Sequence, residues 1–318
     1  MDYEKKLPLV KQVFYHASCP DGTVSAMLTA MAFRRRLIDI KEIEFISVQY
    51  GTPEYESMEA KGGQMFVDIC PPKARWKEWL DFHPIVFDHH VTSKEVVEGL
   101  SGVYKTNEEH CGAKIVFDEL LTDFIMEGID RFAHLSMIRD TWKKDHEDWE
   151  EACYLAQASR LFKPKDLISQ AYIEGVNSLE RLMPIGKALH ERAMRKSKLV
   201  ARTSPVFIKE INGKDIRISI FNCTDDLTSD ISHFILESRE ADVAVAYSFL
   251  GKNREGDLIT RVSLRTNGDF ISARKICEKY GGGGHDGAAG FSVSNDDGFN
   301  LVFLRNMIFE ALKEQIVT

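Results

Sequence analysis

The first part of the chain alternates short apolar runs with longer stretches whose apolar positions recur at helical spacing. VKQVFYHA (10–17), IEFISVQY (43–50), QMFVDI (64–69) and HPIVFDHH (83–90) are rich in β-formers and bounded by turn residues, so they read as strands. GTVSAMLTAMAFRRRL (22–37) and GAKIVFDELLTDFI (112–125) read as helices. Strands alternating with helices predict a parallel sheet with helices on both faces. From about Asp140 the pattern becomes mainly helical, and the segment 176–204 reads as a long helix with a break or first turn at Pro184. After Pro205 the period changes. VFIKEINGKDIRISIF (206–221) predicts a hairpin about Asn212-Gly213, followed by strands at 241–250 and 258–266 and helices at 271–280 and 299–316. The expected architecture is α/β: a parallel-sheet domain over 1–180, a linker helix over 181–203, and a smaller α/β domain over 204–318.

Composition narrows the function classes. A chain of 318 residues exceeds the size of most single cores, and a 44% hydrophobic content excludes disorder. With 41 basic against 49 acidic residues the formal charge is −8, which argues against a protein that coats nucleic acid and leaves a small or short anionic substrate open. The N-terminal stretch lacks a signal-peptide pattern and no apolar run approaches spanning length, so a cytoplasmic location without membrane contact is expected. Six scattered cysteines without a C-x-x-C pair are expected to be reduced.

The polar residues at the strand ends carry the chemistry. His16 and Asp21 follow the first strand, Asp68 ends another, and Asp88, His89 and His90 end the next with no spacer. Singly, each has an ordinary reading: a turn in Pro20-Asp21-Gly22, a helix cap at Asp68, the close of a helix at Asp140, and a cap at Val91-Thr92-Ser93 for the next helix. In a parallel sheet these strand ends meet at one edge. Imidazoles and carboxylates gathered there are costly unless cations neutralise them. Oxygen donors mixed with imidazole suit Mn²⁺, with Mg²⁺, Co²⁺ or Zn²⁺ as options. A carboxylate bridging two ions would support in-line attack of an acidified water on phosphorus. Farther along, four glycines (281–284) precede His285, and Arg265 ends a strand. Glycine amides can form an anion nest, and an arginine fork fits a phosphate.

In these residues the chain resembles the DHH phosphoesterase superfamily, in the branch whose attached substrate-binding domain ends in a GGGH motif, as in nano-RNases and RecJ-type exonucleases. The motifs are YHASCPDG (15–22), the Asp68 strand, Asp88-His89-His90, Asp140, and Arg265 with GGGGHDGAAG (281–290). The resemblance implies that His16, Asp21, Asp68, His89 and Asp140 ligate two divalent ions with Asp68 as bridge. It also implies that His90 touches the substrate phosphate or leaving group, that Asp88 orients an imidazole, and that Arg265, Gly282, Gly283, Gly284 and His285 hold a phosphate or terminal nucleotide in a cleft shared by both domains. The expected substrates are short oligonucleotides or small nucleotides rather than long nucleic acid. An exopolyphosphatase or pyrophosphatase and a catalytically weakened nucleotide-binding regulator are the alternatives. Family members often dimerise, so a homodimer is a further expectation. One position departs from the family pattern: Cys19 stands where a carboxylate is usual, which makes it a further ligand candidate and would favour softer ions such as Zn²⁺.

Overall fold

The computed structural model describes residues 3–107, 109–123, 128–223, 227–238, 240–252, 258–267, 270–294 and 299–316. The chain forms two compact units, Met1–His190 and Glu191–Thr318.

In the first unit a short helix α1 (Tyr3–Lys6) leads into strand β1 (Gln12–His16), helix α2 (Pro20–Arg35), β2 (Glu44–Val48), α3 (Pro53–Glu56), β3 (Gln64–Val67), β4 (Ile85–Asp88), α4 (Lys94–Gly99) and β5 (Val103–Tyr104). Helices α5 (Gly112–Leu120), α6 (Ile129–Asp140), α7 (Trp149–Leu161) and α8 (Pro164–Glu174) follow. The five strands are all parallel, in the order β2-β1-β3-β4-β5. That order reverses direction at β1, and in such sheets ligands settle beyond the carboxyl ends of the strands at the reversal.

Both faces of the sheet are covered. On one, α2 packs with α5, α6, α7 and α8 over Val13, Tyr15, Met65 and Phe87, and its residues Asp21 to Phe33 are all buried. The small residues of that helix (Gly22, Ser25, Ala26, Ala30, Ala32) explain how neighbours approach from every side. On the other face Phe14 stacks on Phe66, and Trp79, buried with them, donates its indole N–H to Gln64 Oε1 at 2.7 Å. The last two residues of the helix expected over 112–125 lie outside the described residues.

Helix α9 (Asn177–Thr203) runs from the first unit into the second. It continues through Pro184, so the break expected there does not occur. Leu179 and Leu182 bury themselves in the first core, and a Cβ on Gly186 would lie 2.0 Å from the Tyr154 carbonyl oxygen. Close packing of this kind holds the helix together across one missing amide.

The second unit contains β6 (Val206–Ile211), β7 (Lys214–Asn222), α10 (Thr228–Glu237), β8 (Val243–Lys252), β9 (Leu258–Thr266), α11 (Ala273–Glu278), β10 (Gly283–His285), β11 (Ala288–Ser294) and α12 (Leu301–Gln315). Its mixed sheet has the order β10-β11-β9-β8-β7-β6, with β7 and β8 parallel. The β6–β7 hairpin turns at Asn212 (φ 49°) and Gly213 (φ 78°), the two left-handed positions of a type I′ turn. Helices α11 and α12 cover one face, and α10 with the end of α9 covers the other. Among the described residues, no disulfide joins the cysteines and no helix is long and apolar enough to cross a membrane.

Candidate metal centre

The adjacent strands β1, β3 and β4 deliver His16, Asp68 and the Asp88-His89-His90 run to the carboxyl edge of the first sheet. Asp21 joins them from the first turn of α2, and Asp140 from the last residue of α6. Two donor groups result, each with its donor atoms within 4.8 Å of one another: His16, Asp68 and His90, and Asp21, Asp68 and His89. Asp68 belongs to both. Its Oδ2 lies 3.5 Å from His16 Nδ1, and its Oδ1 lies 3.2 Å from His89 Nε2. His89 Nε2 is also 3.8 Å from Asp21 Oδ2 and 3.7 Å from Asp140 Oδ2.

Asp68 is fully buried, yet neither of its carboxylate oxygens has a hydrogen-bond partner, and neither does His16 Nδ1. Buried polar atoms are rarely left so, because each costs about 1–3 kcal/mol and more for a charged group. Asp68 also takes a left-handed backbone (φ 58°), uncommon for a residue other than glycine. Gly112 makes room for it, since a Cβ there would come within 2.5 Å of Asp68 Cβ.

The other carboxylates are anchored. Asp21 accepts the amides of Gly112 (2.6 Å) and Ala113 (3.0 Å) at the start of α5 and the Ser136 hydroxyl at 2.8 Å. Asp88 accepts the amides of His89 (2.7 Å) and His90 (3.1 Å) at Oδ1, and the Tyr50 hydroxyl at Oδ2 (2.9 Å). His90 Nδ1 lies 2.7 Å from Asp88 Oδ1, so the acid sets the direction of that ring. Tyr50 also packs edge-on against His16 and His90 at 5.5 Å. The cap expected at Val91-Thr92-Ser93 takes another form: a 3₁₀ turn in which Ser93 makes no side-chain cap bond and donates its hydroxyl back to the His90 carbonyl.

Charge is unevenly spread over the cluster. Burial, with the negative charges of Asp68 and Asp140, pushes the Asp21 carboxyl up to about 8. Burial opposes ionisation of Asp68 too, but the rings of His16, His89 and His90 outweigh it and hold the group well below the usual carboxylate range. Burial disfavours a charged His89, but Asp68, Asp21 and Asp140 raise it to about 10. Burial and the same three carboxylates push the Cys19 thiol up. Cys19 itself occupies the N-cap of α2, and its sulfur belongs to neither donor group.

In the second unit Arg265, Gly282, Gly283, Gly284 and His285 line one groove of about 720 Å³, with Arg261 and Tyr280 beside them. Arg265 donates to the Leu264 carbonyl (2.9 Å) and the Ser229 hydroxyl (3.3 Å), and no ion pair with an acid forms there among the described residues. The anion nest expected from the glycine run does not form. The amides of Gly281 and Gly282 return to the Glu278 and Cys277 carbonyls, and Gly283–His285 pairs with β11 as an edge strand.

Sequence reasoning missed Tyr50, Gly112 and Ser136. An aromatic hydroxyl at the end of the strand next to β1, and a glycine after Cys111 opening an apolar helix, were the available signals.

No protein-family model matches the chain, and neither does the sequence of any curated protein. Solved structures do. A pGpG-specific phosphodiesterase from Vibrio cholerae is 13% identical, with 95% of this chain and 98% of that one covered and a TM-score of 0.57. An exonuclease RecJ bound to manganese is 16% identical over 98% and 92%, with a TM-score of 0.61. The DHH domain of a member of a family of ribosomal proteins is 12% identical over 98% and 88%, with a TM-score of 0.59. The chain thus shares its fold with these proteins, a DHH domain among them.

Proposed function

We propose that this chain is a metal-dependent phosphoesterase of the DHH superfamily, cleaving phosphodiester or phosphomonoester bonds in short oligonucleotides or small nucleotides. The observation that carries the reading is Asp68: a buried carboxylate with no hydrogen bond at either oxygen, Oδ2 facing His16 and Oδ1 facing His89. That donor set fits divalent cations. His16 and Asp68 would hold one ion, and Asp21, Asp68, His89 and Asp140 the other, from oxygen and imidazole donors that suit Mn²⁺ or Mg²⁺. Cys19, whose thiol feels the charges of Asp68, Asp21 and Asp140, stays a further ligand candidate, and its part would be read from the metal preference of Cys19→Asp. When bound, the ions neutralise phosphoryl oxygens and make water acidic enough to attack phosphorus.

The chain's own residues do the rest. Asp88 fixes His90 through Nδ1 and leaves the other ring nitrogen to meet the substrate phosphate or to hand a proton to the leaving oxygen. The α5 amides keep the Asp21 carboxylate aimed at the centre. Arg265 and His285, in the groove of the second unit, take an anionic group of the substrate. A pGpG-specific phosphodiesterase and an exonuclease among the proteins of the same fold support a nucleotide substrate.

Purified protein with Mn²⁺, Mg²⁺ or Zn²⁺ should be given a linear dinucleotide, a ribo-pentamer, a cyclic dinucleotide, 3′-phosphoadenosine 5′-phosphate and polyphosphate, with His89→Ala as control. The expected result is Mn²⁺-supported turnover of at least one nucleotide substrate that His89→Ala abolishes. Turnover of polyphosphate alone would overturn the nucleotide assignment, and tight nucleotide binding without turnover would make the protein a regulator.

A further inference from the structure

A second set of metal-type donors lies at the corner between α6 and α7, and it shares no residue with the centre around Asp68. His134 sits on α6, while His146 and Asp148 belong to the connection leading into α7. His134 Nε2 lies 2.9 Å and His146 Nδ1 3.7 Å from the same oxygen, Asp148 Oδ2. One donor atom from each of the three side chains falls within 4.8 Å of the others, and all three are half-buried. The two rings meet edge to face at 5.2 Å.

An ordinary surface ion pair explains His134 with Asp148, but it does not explain His146. The Asp148 amide donates to His146 Nδ1 at 3.1 Å, so that nitrogen carries a lone pair and no proton. The same nitrogen lies 3.7 Å from Asp148 Oδ2, so one carboxylate oxygen has an imidazole nitrogen on each side of it, His134 Nε2 and His146 Nδ1. Arg131 is engaged elsewhere: its Nη2 is 2.6 Å from Asp148 Oδ1 and 2.6 Å from Glu151, which fixes the carboxylate and leaves Oδ2 turned to the rings. Donor spacings of 2.9 and 3.7 Å bracket the edge of about 3.3 Å that a tetrahedral ion with 2.0 Å bonds requires.

We propose that His134, His146 and Asp148 form a separate site for one divalent cation of the zinc type (Zn²⁺, Ni²⁺ or Co²⁺), with solvent completing its coordination. Two imidazoles with a single carboxylate exclude Ca²⁺ and Mg²⁺ as the preferred guests. The ion displaces the proton shared by His134 and Asp148 and takes over the lone pair that the Asp148 amide holds on His146. It ties the body of α6 to the start of α7, across the connection that begins just after Asp140. Arg131 cancels part of the carboxylate charge, so binding should be weaker than at a closed structural zinc site.

Metal-stripped full-length protein should be titrated with Zn²⁺ and the bound metal counted after desalting. His134→Ala/His146→Ala is expected to hold one equivalent fewer than the unaltered chain. In an Asp68→Asn/His89→Ala background, which disables the other centre, one equivalent should remain, and adding His134→Ala/His146→Ala should remove it. Because the double alanine variant could misfold, His146→Asn in the same background gives a second reading. Bound Co²⁺ there should lose the intense visible absorption of a tetrahedral site. Equal metal content with and without the two histidines, or a Co²⁺ spectrum that His146→Asn leaves unchanged, would overturn the site whatever becomes of the activity.

Discussion

Asp68 is the residue on which the first unit turns. A fully buried carboxylate in a left-handed backbone, with no hydrogen bond at either oxygen and only imidazole nitrogens at 3.2 and 3.5 Å, is a costly arrangement that a bound cation would relieve. A cation that binds only the native state stabilises it by about 2.7 kcal/mol at 100 times its Kd. Mn²⁺ should therefore raise the melting temperature of the metal-stripped protein, and Asp68→Asn should abolish that rise along with turnover; an undiminished rise in Asp68→Asn, followed by calorimetry, would place the ions elsewhere. Tyr50 acts at one remove. Its hydroxyl gives Asp88 a hydrogen bond to a charged acceptor, an interaction worth about 1.5–3 kcal/mol, and Asp88 in turn holds His90. Tyr50→Phe is expected to lower kcat roughly tenfold and to shift the pH profile, since the Asp88–His90 pair is altered, while metal stoichiometry and KM stay near those of the unaltered protein. A loss of bound metal in Tyr50→Phe would instead show that the tyrosine merely supports the site's structure.

At the scale of elements, the glycine run carries the sharpest test, because Gly282, Gly283 and Gly284 differ in the space around them. A Cβ on Gly282 would lie 2.1 Å from the Gly290 carbonyl oxygen, and one on Gly284 2.6 Å from that of Ala288, whereas one on Gly283 would meet nothing within 4 Å. Gly282→Ala should thus destabilise the second unit by a few kcal/mol, as overpacking against backbone does, and Gly283→Ala should melt within about 0.5 kcal/mol of the unaltered protein. If Gly283→Ala keeps its stability but loses substrate affinity, the open face of β10 is where the substrate backbone or phosphate lies; unchanged affinity removes Gly283 from the binding surface. The run also shows where sequence reading stops. β-rich apolar runs bounded by turn residues placed the four longer strands of the parallel sheet, and helical spacing placed α2, α5, α9, α11 and α12, because burial on a sheet or a helix stripe writes itself into local order. The strand-end histidines and aspartates were legible for the same reason: a parallel sheet collects its carboxyl ends. Gly112, Ser136 and Tyr50 were not, since each acts on a partner far away in the chain, Ser136 on Asp21 from 115 positions off. Pro184 misled because a local rule for helix breaking met tertiary packing at Leu182 and Gly186 that overrides it.

For the whole molecule, charge decides what length of substrate the proposed enzyme favours. Long single strands gain affinity from many lysine and arginine contacts along the backbone, each releasing counterions, and that gain is what makes their binding steeply salt-dependent. This chain carries a formal charge of −8, so every phosphate beyond those that the metal centre and Arg265 would hold meets a surface that on balance repels it. Catalytic efficiency should therefore be highest for substrates of two to five nucleotides and decline for a 24-mer, with the penalty shrinking as salt screens the repulsion over a Debye length of about 8 Å at physiological ionic strength. Measuring kcat/KM for a dinucleotide, a pentamer and a 24-mer between low and moderate salt checks both parts. Efficiency that rises with length and falls steeply with salt would mean that a local basic track outweighs the net charge, and the preference for short substrates would have to be given up.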